Sequence, residues 1–238
     1  MPHRGEGRAA AATAPQDGGM PSPLAALLCA ATADALAFVL PVSCAGCGAA
    51  DSALCASCRA RVATPCGVRQ TIGPRLTVHS AFAYDGEIAR VLRALKADGR
   101  TGLARPLGAA LAVHAASVFP GEQVMFVPVP TSAAAMRRRG YRVVELLLRR
   151  SALPALPVLR AARGVADQRQ LGRDARARNV AGSLVASPRA RGREVVIVDD
   201  VVTTGSTLLE AQRALTAVGA VVRGGLTVAA TPKRTIGA

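Results

Sequence analysis

The sequence predicts an α/β fold: a parallel sheet flanked by helices, preceded by a small cysteine-rich module. Three observations carry this. Runs rich in β-branched residues alternate with segments of helical period from Leu76 onward. One of those runs, Val195-Val196-Ile197-Val198, ends in Asp199-Asp200 and passes through a Thr/Gly/Ser loop straight into a helical pattern. Upstream, two CxxC pairs, Cys44/Cys47 and Cys55/Cys58, lie seven residues apart.

The elements follow in order. Leu76 to Tyr84 alternates in part and reads as a strand, with Tyr84-Asp85-Gly86 as a turn. Ile88, Val91, Leu92 and Leu95 mark a helix with Lys96 near its end, and Leu103 to Val118 is a second. Val124 to Val129 is a strand stopped by Pro128-Val129-Pro130, since proline cannot donate to a ladder. Val143 to Leu148 returns to helix, and Val158-Leu159-Arg160 is a short strand. After the acidic pair, Leu208, Leu209, Ala211, Leu215 and Val218 hold helical spacing, with Gly219 closing the helix. Val221 to Ala229 gives the last strand.

A chain of 238 residues allows one good-sized domain and a small appendage. We expect a disordered tail over 1–23, an apolar helix plus a cysteine module over 24–73, and the α/β domain over 74–238. Met20 is an alternative start to Met1. Leu24 to Leu40 is short for a membrane span and carries Asp34 near its middle, so it reads as a helix packed on the next module. Paired thiols suit a reducing cytoplasm. The formal charge is +15, and all but Lys96 and Lys233 of the 30 basic residues are arginine. Such a surface attracts phosphates and nucleic acid without a dedicated site. The densest runs are Arg137-Arg138-Arg139, Arg149-Arg150 and the Arg160 to Arg178 region.

The acidic pair and its loop carry the chemistry. Ligands of open α/β sheets sit outside the carboxyl ends of the strands, where Asp199 and Asp200 fall. Carboxylates accept hydrogen bonds from vicinal hydroxyls such as those of a ribose. In the loop Val201-Val202-Thr203-Thr204-Gly205-Ser206-Thr207, Gly205 permits close backbone approach, and N–H groups at the start of the helix suit a phosphate. A solvated acidic pair ahead of a helix cap accounts for one acid and one hydroxyl residue. It does not account for two acids and four hydroxyl residues around a glycine.

Each CxxC pair can bite one ion through a tight turn, and four thiolates meet the tetrahedral preference of zinc. The symmetric spacing favours zinc over disulfides or an iron–sulfur cluster. A closed four-thiolate site of Cys44, Cys47, Cys55 and Cys58 would be structural, supplying folding energy to a segment too small for its own core. Cys29 reads as a buried apolar residue; Cys66 makes no third CxxC pair, because Arg69 stands where a partner cysteine would, and is not assigned to the metal, although it is an alternative to one of the four ligands. His3, His79 and His114 fall in a tail, a strand and a helix, do not cluster with other ligands or bases, and are assigned no role.

The stretch Val195 to Thr207 resembles the motif by which type I phosphoribosyltransferases bind phosphoribosyl pyrophosphate (PRPP). Over nearly the whole chain from Leu24, the sequence resembles the ComF family (ComFC- and GntX-like proteins). The matching pieces are the CxxC pairs, Tyr84-x-Gly86, Lys96-x-x-Gly99, Val127-Pro128-Val129-Pro130, Arg139-Gly140-Tyr141, Gln168-x-x-Leu171, Arg176-x-x-Asn179 and the acidic loop. Family members often carry a third cysteine pair, broken here at Arg69, and an Asn where this chain has Arg142.

The resemblance implies a type I phosphoribosyltransferase-like domain behind a zinc-ribbon-like module. Asp199 and Asp200 would hold the ribose hydroxyls, and Thr203 to Thr207 the 5′-phosphate. Pro130, Thr131 and Ser132 would face the pyrophosphate, with Mg²⁺ accompanying PRPP. Arg139 and Arg176 are candidate cations, though either also reads as an ordinary surface arginine. ComF-like proteins further imply two partners, single-stranded DNA and a helicase-type protein, and a sensor that binds PRPP without turnover fits the unmarked acceptor pocket.

Overall fold

Five strands form the main sheet in the order β1-β2-β7-β6-β3. They are β1 (Val68–Ile72), β2 (Leu76–Ala83), β3 (Met125–Pro128), β6 (Glu194–Val202) and β7 (Val221–Ala230). The computed structural model describes residues 42–121, 123–162 and 181–232. The expected tail, the Leu24–Leu40 helix, Cys29 and the Gln168-to-Asn179 motifs lie outside the described residues.

β2, β7, β6 and β3 run parallel, as the sequence predicts. β1 is antiparallel to β2, with Arg69 opposite His79, so the sheet is mixed. The sequence reading assigned no element there: β1 is short, and only Ile72 of its five residues is buried. At the other edge, Phe126 N–H donates to Pro154 O and Leu156 N–H to Phe126 O. This covers the ladder that β3 would otherwise leave open.

Helices close both faces. One face carries α2 (Gly86–Ala97), α3 (Ala104–Val118) and α5 (Val143–Ser151), which share a core with Val196, Val198, Leu226 and Val228, while α1 (Ala56–Ala63) packs against α3. The other carries α6 (Ser206–Ala217), whose Leu208, Ala211 and Leu215 meet Val195, Ile197 and Val78. Neighbouring strand residues thus feed opposite layers, which is why the central strands read as unbroken apolar runs. Between β2 and β7, Ser80 and Thr227 face each other in register, their buried hydroxyls 2.7 Å apart.

A second, two-stranded ribbon pairs β4 (Leu159–Ala161) with β5 (Leu184–Ala186). A short helix α4 (Ala133–Arg139) follows β3. No described helix is long and apolar enough to cross a membrane.

Candidate functional site

The carboxyl end of β6 carries Asp199, Asp200 and the Gly205 loop, and the end of neighbouring β3 leads into Pro130, Thr131 and Ser132. Asp199 and Asp200 do not terminate β6; the strand runs on to Val202, and Asp199 pairs in register with Thr227. Both acids are half-buried. Asp200 N–H donates to Asp199 Oδ1 at 2.8 Å. Burial and the neighbouring Asp200 charge push the Asp199 carboxyl up to about 7, against the opposing pull of that N–H and of Lys96. Its titration therefore falls in the neutral range instead of the usual carboxylate range.

Lys96, from the last turn of α2, places its Nζ 2.7 Å from Asp200 Oδ1. Their side chains are only 22% and 15% exposed, so the pair is shielded from water more than a surface ion pair. With Asp199 protonated, one ammonium balances one carboxylate. The sequence reading placed Lys96 at a helix end and in a family motif but gave it no part in the site. Its scarcity was the available signal, since it is one of two lysines in an arginine-rich chain.

Past Val202 the chain bends through Thr203 and Thr204, both exposed, into α6. Gly205 caps the helix at φ +78°, and a Cβ there would lie 2.3 Å from Ile72 Cδ1. Backbone conformation and close approach of β1 both demand glycine. Thr204 and Ser206 hydroxyls lie 2.9 Å apart, and Ser206 N–H points at Thr204 Oγ1 at 3.4 Å. Thr207 is exposed. Thr231 ties the base of the loop, donating through its N–H to Val202 O at 2.9 Å.

Pro130, Thr131 and Ser132 follow β3 and are half-buried. Ser132 caps α4, its Oγ accepting from Ala135 N–H at 3.2 Å, so that hydroxyl already has a local task. α4 ends at Gly140, φ +76°. Next, Tyr141 donates its hydroxyl hydrogen bond to Leu95 O, bracing the end of α2 beside Lys96. Arg139 Nε is buried without a partner among the described residues.

The four cysteines converge. The Sγ atoms of Cys44, Cys47, Cys55 and Cys58 all lie within 4.8 Å of one another. A tetrahedral ion with bonds of about 2.3 Å needs sulfur–sulfur edges of about 3.8 Å. The Cys47–Cys55 separation of 3.6 Å meets that. A Cβ on Gly46 would come within 2.6 Å of Cys58 Sγ, so the first turn must be this small.

Burial pushes the Cys44 thiol up, but N–H groups of Cys47, Cys55 and Gly46 outweigh it and bring it down to about 5. Burial and the surrounding sulfurs push Cys58 up to about 12. Four thiolates cannot crowd together without a cation, so the donor set fits a structural metal such as zinc. Cys66 lies outside this cluster, with its Sγ 3.8 Å from Ala81 O.

The family described as "Phosphoribosyl transferase domain" matches residues 107–235, more than half of the chain. The chain belongs to that family. Its match takes in β3, the acidic pair and the glycine loop. Similar solved structures include an adenine phosphoribosyltransferase from Saccharomyces cerevisiae, 16% identical, with a TM-score of 0.38 over 73% of this chain and 89% of that one. A phosphoribosyltransferase from Corynebacterium diphtheriae is 17% identical, with a TM-score of 0.36 over 71% and 80%. The B. subtilis glutamine PRPP amidotransferase is 24% identical, with a TM-score of 0.35 over 52% of this chain, which spans only 25% of that one. No curated protein matches.

Two further groups in this phosphoribosyltransferase domain escaped the sequence reading. Buried Glu210 on α6 accepts from Leu184 N–H at 2.9 Å and from Arg213 Nε at 2.7 Å, while Arg213 also donates to Leu184 O. This fastens the β4–β5 ribbon to α6. Arg213 holds the Glu210 carboxyl below its ordinary value despite burial. The histidines correct another expectation. His79 and His114 are not apart: their ring centroids lie 6.5 Å from each other, and His79 packs edge-on to Phe119 at 5.6 Å. Burial lowers the proton affinity of both. Strand β2 and helix α3 bring them together, a tertiary contact that their spacing in sequence does not encode.

Proposed function

We propose that this chain binds PRPP with Mg²⁺ and transfers its phosphoribosyl group to a nitrogen acceptor. The observation that carries the reading is the half-buried Asp199–Asp200 pair, with Lys96 on Asp200, directly ahead of the Gly205 loop in a phosphoribosyltransferase domain. Asp199 and Asp200 accept from the ribose 2′ and 3′ hydroxyls. Val201 to Thr207 enclose the 5′-phosphate. Pro130 to Ser132 face the pyrophosphate, whose charge Mg²⁺, when bound with PRPP, would help to neutralise. In the reaction the C1–O bond breaks with its electron pair leaving on pyrophosphate, the C1–N bond forms, and the acceptor nitrogen gives up a proton.

The test is thermal. PRPP with Mg²⁺ raises the Tm of the parent protein, and the double change Asp199→Asn with Asp200→Asn abolishes the rise. No rise in the parent defeats the proposal. A nucleobase screen read by pyrophosphate release then separates transfer from binding without turnover.

The finer family reading is ComF-like, supported by the four-cysteine module ahead of the domain, with zinc as its metal and the cytoplasm as its compartment. One zinc per chain by metal analysis is the expected result. A role with single-stranded DNA and a helicase-type partner has less behind it. Arg137, Arg138, Arg149 and Arg150 are exposed, but stacking on bases needs aromatics, and the chain has four Phe, two Tyr and no Trp.

A further inference from the structure

We infer that the four-cysteine module sets the charge state of the acidic site through Lys96. The inference rests on the reading of that site as phosphoribosyl-binding, and adds a positioning residue and a means of regulation to it.

Helix α2 connects the two places. At its middle, Arg90 Nε donates to Gly46 O, inside the first cysteine turn. Just past its end, Arg100 Nη2 donates to Ser43 O at 2.7 Å and to Ala53 O at 2.9 Å. Ser43 precedes the first cysteine and Ala53 precedes the second pair, so one guanidinium spans both halves of the module. Between these anchors sits Lys96, with its Nζ 2.7 Å from Asp200 Oδ1. The helix end itself is fixed: Asp98 N–H and Arg100 N–H both return to Ala94 O, and Gly99 takes φ +68°. On the domain side, Tyr141 holds Leu95 O.

The consequence is mechanical. The carbonyls of Ser43, Gly46 and Ala53 keep their places only while the cysteine turns are closed, and a segment of this size closes around its metal. With the turns closed, Arg90 and Arg100 hold α2 and Lys96 neutralises Asp200. With them open, Asp200 loses its counter-ion beside an already crowded Asp199. A ligand that brings hydroxyls to the carboxylates and phosphates to the ammonium meets a matched site only in the closed state. Metal occupancy of the cysteines is therefore coupled to anion binding at the strand ends.

The chain has two lysines, Lys96 and Lys233, so ¹³C-dimethylation gives a sparse NMR spectrum in which Lys96 is readable. In zinc-loaded protein, Asp200→Asn shifts the Lys96 signal. Arg100→Met shifts it too while the zinc content stays unchanged, and weakens Mg²⁺–PRPP binding on the order of 5-fold or more. In a Lys96→Met background, Arg100→Met no longer weakens binding. Arg90→Met serves where Arg100→Met loses zinc.

A Lys96 signal indifferent to Asp200→Asn, or to the arginine changes, overturns the inference. So does an arginine effect on binding that persists without Lys96. If the parent fails to bind PRPP, the functional reading falls, and the ligand-free Lys96 signals still decide the coupling.

Discussion

Replacing Asp199 with Asn should make the protein more stable and its ligand binding worse. The ordinary value for this carboxyl is 3.8, and the site raises it to about 7 by burial and by the Asp200 charge. Each tenfold change in proton affinity is worth about 1.4 kcal/mol. A raised carboxyl binds more protons folded than unfolded, so stability falls as pH climbs from the unfolded value through the folded one, then levels off. At about pH 5 the ionisation penalty is about 2 kcal/mol, and by about pH 8.5 it reaches roughly 4 kcal/mol. Asn keeps an oxygen for the Asp200 N–H and removes the charge. The stability gain of Asp199→Asn over the parent should therefore widen by about 2 kcal/mol between those pH values. Urea unfolding of both proteins across the range measures it. Parallel pH profiles would refute the claim that this acid is held near neutrality.

Other positions give sharper local outcomes. Gly205→Ala must relieve a Cβ at 2.3 Å from Ile72 in a left-handed backbone, costing about 3 kcal/mol by urea unfolding, and should lower PRPP affinity with it. Glu210→Ala leaves the Leu184 N–H without its partner. We expect a loss of about 2 kcal/mol, and faster hydrogen exchange at Leu184 before the central strands. Gly46→Ala puts a methyl 2.6 Å from Cys58 Sγ, and zinc affinity by chelator competition should drop by about tenfold or more.

The parallel strands were legible because each is an apolar run feeding two layers, and β3, β6 and β7 lie close to where Val124 to Val129, Val195 to Val198 and Val221 to Ala229 predict them. The cysteine cluster was legible because both ligand pairs are local in sequence. β1 was not, since its five residues show one buried side chain and its strand character comes from pairing with β2. α1 hid for a related reason: only Cys58 and Val62 of its eight residues are buried, so no apolar stripe announces it. Within the site, the acids and the glycine loop are contiguous and readable. Lys96 is more than a hundred residues away from Asp200, and the fold alone brings its ammonium there. The His79–His114 contact and the Glu210 anchor were missed for the same reason.

The acidic pair also predicts how ligand binding should depend on pH. Two adjacent carboxylates, with one counter-ion between them, are an uncomfortable arrangement that hydroxyl donors would relieve. A ligand that donates to both oxygens favours the ionised Asp199 and so expels its proton. Well below about pH 7 the free molecules carry that proton, so saturation with Mg²⁺–PRPP at lower pH should release it from Asp199. At about pH 8.5 the acid is already ionised and the release vanishes. Affinity accordingly rises with pH up to about 7 and then flattens. Calorimetry in buffers of different ionisation enthalpy counts the protons. The Asp199→Asn protein at saturating ligand gives the part that belongs to the phosphates of PRPP. Equal release by parent and variant at the lower pH would mean that Asp199 enters the complex already charged, and that the hydroxyls are held elsewhere.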